Sequence, residues 1–141
     1  MSGTKPVSLR PSRPLRVLLV DDSADGRRAL GRFLGMKGIE VIDRPDGTSA
    51  LEALRDGPPP DVVLTDLLLP DMDGRQVCWH AHQLVPGVHV ALITGWSVEL
   101  DPKDQQRWGF DEIFIKPLDI QALVHYLLEI APAASLPGPG G

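Results

Sequence analysis

Only one cysteine, Cys78, occurs among the 141 residues, so no disulfide can form within the chain. Stability must come from a packed core, and a reducing, cytoplasmic setting is expected. Long apolar runs are also missing. Stretches such as Val62 to Leu64 and Leu67 to Leu69 are far too short to span a bilayer, so no membrane association is expected. Positions 1–16 are basic but lack the apolar stretch of a secretory signal. Positive charge is in deficit overall, with a net charge of −5, which argues against a nucleic-acid surface. No internal repeat is visible, and no glycine-rich turn of the dinucleotide-binding kind follows the first apolar run.

What is present suffices for one domain. Hydrophobic residues make up 43% of a 15.3 kDa chain, enough for a sizeable core. Residues 1–14 carry three prolines and no acidic residue, and read as a flexible basic tail with Lys5, Arg10 and Arg13. Residues 131–141 form a Pro/Gly-rich stretch with almost nothing to bury, and are expected to be disordered. The folded unit is therefore placed at 15–130, with no room elsewhere in these residues for a second domain.

Within that unit, short apolar runs alternate with helical patterns. Leu15 to Val20 suits a strand buried on both faces. Ser23 or Asp25 can cap a helix using Ala29, Leu30, Phe33 and Leu34, stopped by Gly38. Ile39 to Ile42 reads as the second strand. Asp46 caps a helix with Ala50, Leu51 and Leu54 inward, which Gly57 closes before Pro58-Pro59-Pro60 forces a loop. Asp61 to Thr65 is the third strand, ending at Asp66, and a third helix spaces Val77, Cys78, Ala81, Leu84 and Val85 along one face. Val88 to Ile93 ends at Thr94. Pro102, behind Asp101 as cap, predicts a late, short fourth helix. Glu112 to Ile115 ends at Lys116. Leu118 to Ile130 is an amphipathic helix with Ile120, Leu123, Val124 and Leu127 inward.

Five such units in succession predict an α/β fold, a doubly wound parallel sheet with helices on both faces. Sites in such sheets lie beyond the carboxyl ends of the strands. Asp21 and Asp22, Asp66, Thr94, and Lys116 each follow a strand, so they are expected to converge. Three carboxylates brought together must keep a proton or hold a cation, and hard oxygen ligands suit Mg²⁺. An ammonium and a hydroxyl beside them make surroundings fit for a phosphoryl group, with a carboxylate able to take it as an acyl phosphate.

The blocks Val20-Asp21-Asp22-Ser23, Thr65-Asp66-Leu67-Leu68-Leu69-Pro70-Asp71-Met72-Asp73-Gly74, Ile93-Thr94-Gly95 and Ile115-Lys116-Pro117-Leu118 together resemble the response-regulator receiver family of two-component signalling. The likeness covers essentially the whole folded unit. It implies a flavodoxin-like five-stranded sheet of order 2-1-3-4-5, with Asp66 as phosphoacceptor for a histidine kinase or phosphotransfer protein. It further implies Mg²⁺ held by Asp21, Asp22, Asp66 and the backbone carbonyl of Leu68. Lys116 would pair with a phosphoryl oxygen, Thr94 would act as the switch hydroxyl, and Lys116–Pro117 becomes a candidate cis bond. Such a protein catalyses only its own phosphorylation and dephosphorylation. It would signal to a downstream protein target, with a possible homodimer through the last two helices and fifth strand.

Departures from the family pattern matter too. The position where the family commonly carries a switch aromatic is Ile113, and Phe114 beside it is expected in the core. Trp96 or Trp108 could supply a ring instead, although buried packing is the expectation for Trp108. Leu68 and Trp96 border the expected pocket and cannot orient a water, which predicts slow dephosphorylation. His80 and His82 are two apart on a helix and are expected on its solvated surface, not as a metal pair. His89 and His125 are expected to be structural, and Cys78 to lie in the core. Two rivals remain: a pseudo-receiver that binds protein without phosphorylation, and a Mg²⁺-dependent phosphatase of similar fold. The phosphatases with a strand-end aspartate need Asp-x-Asp after the first strand, where this chain reads Asp21-Asp22-Ser23.

Overall fold

The computed structural model of the chain describes residues 13–95 and 101–131, and the expectations for both tails and for Trp96 fall outside these. Strands and helices alternate strictly: β1 (Arg16–Val20), α1 (Ala24–Met36), β2 (Glu40–Arg44), α2 (Gly47–Asp56), β3 (Val62–Asp66), α3 (Gly74–Leu84), β4 (His89–Thr94), α4 (Pro102–Trp108), β5 (Glu112–Ile115) and α5 (Ile120–Ile130). The five strands form one parallel sheet of order β2-β1-β3-β4-β5, as the family resemblance implies.

Alternation along each strand divides the core in two. Leu18, Val20, Val63, Val90 and Leu92 meet Ala50 and Leu54 of α2 and Val77, Cys78 and Ala81 of α3. Val17, Leu19, Leu64 and Ile93 meet Leu30 and Leu34 of α1 and Leu123 and Leu127 of α5 on the opposite face. Every residue of β3 is buried, as expected of a central parallel strand covered on both sides. Phe114 packs half-buried on the α1/α5 side and Ile113 on the other, in keeping with their successive positions.

Helix starts follow the sequence closely. The side chains of Ser23, Asp46, Asp73, Asp101 and Asp119 each accept an amide hydrogen bond at a helix start. Some boundaries move. Strand β2 runs on to Arg44, because pairing of Asp43 and Arg44 with Leu19 and Val20 continues the parallel register past the apolar run. Helix α5 begins at Ile120, since Asp119 caps it through the Ala122 amide. Leu84 is exposed, not inward: it lies in the last turn of α3, at the margin of the stripe formed by Val77, Cys78 and Ala81.

One core group is badly served. The Tyr126 hydroxyl is buried with no hydrogen-bond partner among the described residues, and burial pushes its pKa up. Its ring stacks edge-on against Phe114 at 5.6 Å between centroids. A stranded hydroxyl costs about 1–3 kcal/mol, whereas the ring contact survives without it. Tyr126→Phe is expected to raise stability by about 1 kcal/mol in urea unfolding. A loss of that size would mean that the hydroxyl has a partner.

Candidate functional site

The order of the sheet reverses its progress between β1 and β3, and the loops leaving these two strands part to form a crevice at their carboxyl ends. Asp21 and Asp22 follow β1, Asp66 ends β3, Thr94 ends β4 and Lys116 follows β5. Asp22, Asp66, Leu68, Thr94 and Lys116 line a shared cavity of about 160 Å³, together with Ile93 and Gly95. Asp21 stands behind it, 8% exposed.

Backbone bonds fix these positions. The Asp21 amide donates to Arg44 O at 3.1 Å, and its carboxylate accepts from the Ser23 amide at 2.9 Å. Arg27 donates to Asp21 O at 2.7 Å and pairs with Asp43 at 2.9 Å, fastening α1 to the β1 loop. The Leu67 amide donates to Ile93 O and the Lys116 amide to Thr94 O, each at 2.8 Å, so the loops leaving β3, β4 and β5 are tied in sequence. The Lys116–Pro117 peptide bond is cis, as the resemblance implies. Gly74 packs so tightly on the acceptor strand that a Cβ there would run into Asp66 O. Only glycine admits that approach.

The electrostatics centre on Asp66. It is 6% exposed, and burial together with the Asp21 carboxyl beside it pushes its pKa up to about 7, against the opposing pull of Lys116. Lys116 Nζ stands 3.1 Å from Asp66 Oδ1 as an ion pair. Its direction is not that of a hydrogen bond, and this buried oxygen accepts none from the described residues. Burial alone would lower the Lys116 pKa, but the Asp66 carboxylate raises it above the usual value. Asp21, Asp22 and Asp66 each offer an oxygen, all within 4.8 Å of one another. Among the described residues, three acidic groups with one orphaned oxygen and a single paired cation leave negative charge uncompensated. A divalent cation with oxygen ligands fits that arrangement.

All the residues expected from the sequence come together here, save Trp96, which is outside the described residues. Leu68 is 64% exposed and forms part of the cavity rim. Trp108 is half-buried against the core on the α3 side, as expected. Cys78 is fully buried, donates to Trp108 O at 2.9 Å, and burial pushes its thiol up to about 12. His82 corrects the sequence expectation. Its Nε2 lies 2.7 Å from Gly109 O, so it faces the end of α4, not open solvent, because α4 folds back over that flank of α3. His89 pairs with Asp111 at 3.3 Å and His125 with Glu129 at 3.7 Å, and neither nears the cavity.

Two residues of the loop after Asp66 gained no role from sequence alone. Asp71 accepts from the Gly47 and Thr48 amides at 2.9 and 2.8 Å and from the Thr48 hydroxyl at 2.6 Å. Those bonds, the hydroxyl's first, hold its pKa below the usual carboxylate range and pin the loop to the start of α2. Asp73 forms a capping box with Gln76, a pattern readable as Asp-x-x-Gln.

A doubly wound parallel sheet with three carboxylates and a lysine gathered at the carboxyl edge of its strands defines the class of α/β protein. A profile of the response regulator receiver domain matches residues 17–128, and the chain belongs to that family. The response regulator receiver protein CpdR of Brucella abortus is 32% identical over 120 residues, covering 84% of this chain and 98% of that protein. The probable transcriptional regulatory protein TcrX of Mycobacterium tuberculosis is 33% identical over 112 residues, covering 79% of this chain and 47% of that one. The chain thus spans nearly all of the first relative and about half of the second. Among solved structures, a CheY-like receiver domain protein of Methanospirillum hungatei superposes with a TM-score of 0.76 at 26% identity, covering 82% of this chain and 92% of that one. The signal receiver domain of an HD domain-containing protein from Pseudomonas fluorescens gives 0.74 at 28% identity, covering 84% and 94%. No helix among the described residues is long and apolar enough to cross a membrane.

Proposed function

We propose that this receiver domain accepts a phosphoryl group on Asp66 from the phosphohistidine of a sensor kinase or phosphotransfer protein. The observation that carries the reading is the approach of three carboxylates to one another within 4.8 Å, with Lys116 3.1 Å from the buried Asp66 oxygen. Asp21, Asp22, Asp66 and the Leu68 carbonyl would hold Mg²⁺, which when bound lowers the charge that an incoming phosphoryl group meets. An Asp66 carboxylate oxygen attacks phosphorus, the P–N bond of the phosphohistidine breaks, and its electron pair leaves on the imidazole. Lys116 pairs with a phosphoryl oxygen and the Thr94 hydroxyl donates to another. Bonding at those two residues, at the carboxyl ends of β4 and β5, biases α4, β5 and α5 toward one arrangement that a partner protein reads.

The folded unit of residues 15–130 is the signalling unit, acting in the cytoplasm through protein contacts and not through nucleic acid. The phosphatase alternative lacks the Asp-x-Asp it needs, and the pseudo-receiver alternative would not require the full set of acidic, hydroxyl and lysine residues kept here. Titration with beryllofluoride and Mg²⁺, followed by the amide NMR shifts of Thr94 and Lys116, tests the reading. Saturable binding that needs both components is expected, and none at millimolar concentrations would turn the reading to the pseudo-receiver.

Leu68 bears on how long the signal lasts. An exposed leucine at the cavity rim offers no polar atom to orient a water for attack on an acyl phosphate. Spontaneous dephosphorylation is therefore expected to be slow, and Leu68→Gln is expected to speed it about 10-fold. A parent half-life of about a minute or less at neutral pH, read by loss of intact-mass signal, would contradict this.

A further inference from the structure

Helix α4 has only seven residues, none of them buried. A helix so short does not hold itself in water, so its place is set by what it touches. Three side chains of α3 reach it from one face, at positions 75, 78 and 82. Arg75 Nη1 lies 3.6 Å from Asp104 Oδ2, Cys78 donates to Trp108 O at 2.9 Å, and His82 Nε2 donates to Gly109 O at 2.7 Å. The last two serve carbonyls at the C-terminal end of α4, where Gly109 turns with φ of +85°. A Cβ at Gly109 would meet the His82 ring at 2.8 Å, so that end is closely seated.

Arg75 is different because it also grips the loop that follows Asp66. Its Nε and Nη2 donate to the two Asp73 oxygens at 3.0 and 2.8 Å. Asp73 caps α3, and the neighbouring Gly74 amide donates to Leu67 O at 2.7 Å, in a seat so close that a Cβ on Gly74 would run into Asp66 O. An unbroken chain of contacts therefore runs from Asp66 through Gly74, Asp73 and Arg75 to Asp104. Lysine could not reproduce it, since a single ammonium lacks the fork that spans two carboxylates.

We propose that Arg75 is a positioning residue that ties α4 to the acceptor loop in the unmodified protein, so that phosphorylation of Asp66 must work against this tie to move α4. The switching half of this inference rests on Asp66 accepting phosphoryl. The tie itself does not. Releasing it lowers the cost of rearrangement, so phosphoryl-mimic binding tightens when the tie is cut.

The test compares the parent with Arg75→Ala, Asp104→Asn and the double variant. Asp104→Asn cuts the far end of the bridge and leaves the Asp73 cap of α3 untouched. Hydrogen exchange of the α4 amides, Gly109 included, is measured with and without beryllofluoride and Mg²⁺. Each single variant is expected to speed α4 exchange about threefold without ligand and to tighten beryllofluoride binding about threefold, with the double variant no further changed than either single one. Arg75→Lys should behave like Arg75→Ala. Unaltered α4 exchange in both single variants, or effects that add in the double variant, would overturn the tie. Faster exchange with unchanged beryllofluoride affinity would overturn its role in switching. A parent that binds no beryllofluoride contradicts the phosphoryl-acceptor reading and the switching role with it, while exchange without ligand still decides the tie.

Discussion

Asp66→Asn is expected to make the Mg²⁺-free protein more stable than the parent at about pH 8, by about 2 kcal/mol, and to leave stability nearly unchanged at about pH 4. The Asp66 carboxyl rises from an ordinary value of 3.8 to about 7, driven first by burial and then by Asp21. The folded state therefore holds a proton that the unfolded chain has already released across that interval. Stability from this group is fully present below the unfolded pKa and is lost as pH rises through about 7. Above it the fold carries an ionised, desolvated carboxylate whose Oδ1 pairs with Lys116 and accepts no hydrogen bond from the described residues. At about 1.4 kcal/mol for each unit, the shift sets a ceiling of roughly 4 kcal/mol, and relaxation around the site lowers what is measured. An amide in place of the carboxyl has no charge to bury, so the variant should lack this pH dependence. Urea midpoints of the two proteins in chelator, followed from about pH 4 to about pH 8, should diverge with rising pH. Adding Mg²⁺ at the upper end should narrow the gap, because the parent alone keeps all three carboxylates. Parallel curves would contradict the assignment of this strain to Asp66.

Lys116→Ala is expected to slow phosphorylation from a small donor such as acetyl phosphate by about 100-fold while leaving the sheet intact. Lys116 follows the edge strand β5, and its side chain is 41% exposed, so its loss leaves no buried cavity. It also supplies the cation that draws the Asp66 pKa down against burial and Asp21. Two consequences combine: less of Asp66 is ionised near neutrality, and negative charge gathering on the phosphoryl oxygens loses its partner. Raising pH should restore the first deficit and not the second. A partial recovery between about pH 7 and pH 9, measured by intact mass over time, would distinguish the two effects. A change under threefold at every pH would show that Lys116 contributes nothing to transfer.

The features that placed the site were local in the chain, which is why they could be read there. Aspartates 21, 22 and 66, Thr94 and Lys116 each stand at the carboxyl end of an apolar run, and parallel pairing brings all those ends to one edge. The caps Ser23, Asp46 and Asp101 act within three residues of themselves, and they too are plain from spacing. What escaped depends on contacts between segments far apart in sequence. His82 looked like a surface histidine because nothing near it in the chain shows that the Gly109 carbonyl will arrive against it. Arg75 gave no sign that it would bridge Asp73 to Asp104, nor Asp71 that it would seize the start of α2. The ends of β2 shifted for a related reason: an edge strand's length is set by its partner's register, not by its own apolar run.

The central claim is that Asp66 takes a phosphoryl group with Mg²⁺ held by its neighbours, and intact-mass measurement after incubation with acetyl phosphate or phosphoramidate tests it most directly. The parent should gain one phosphoryl group when Mg²⁺ is present and none in chelator, and Asp66→Asn should gain none in either case. Equal labelling of parent and variant, or labelling indifferent to Mg²⁺, would contradict the account.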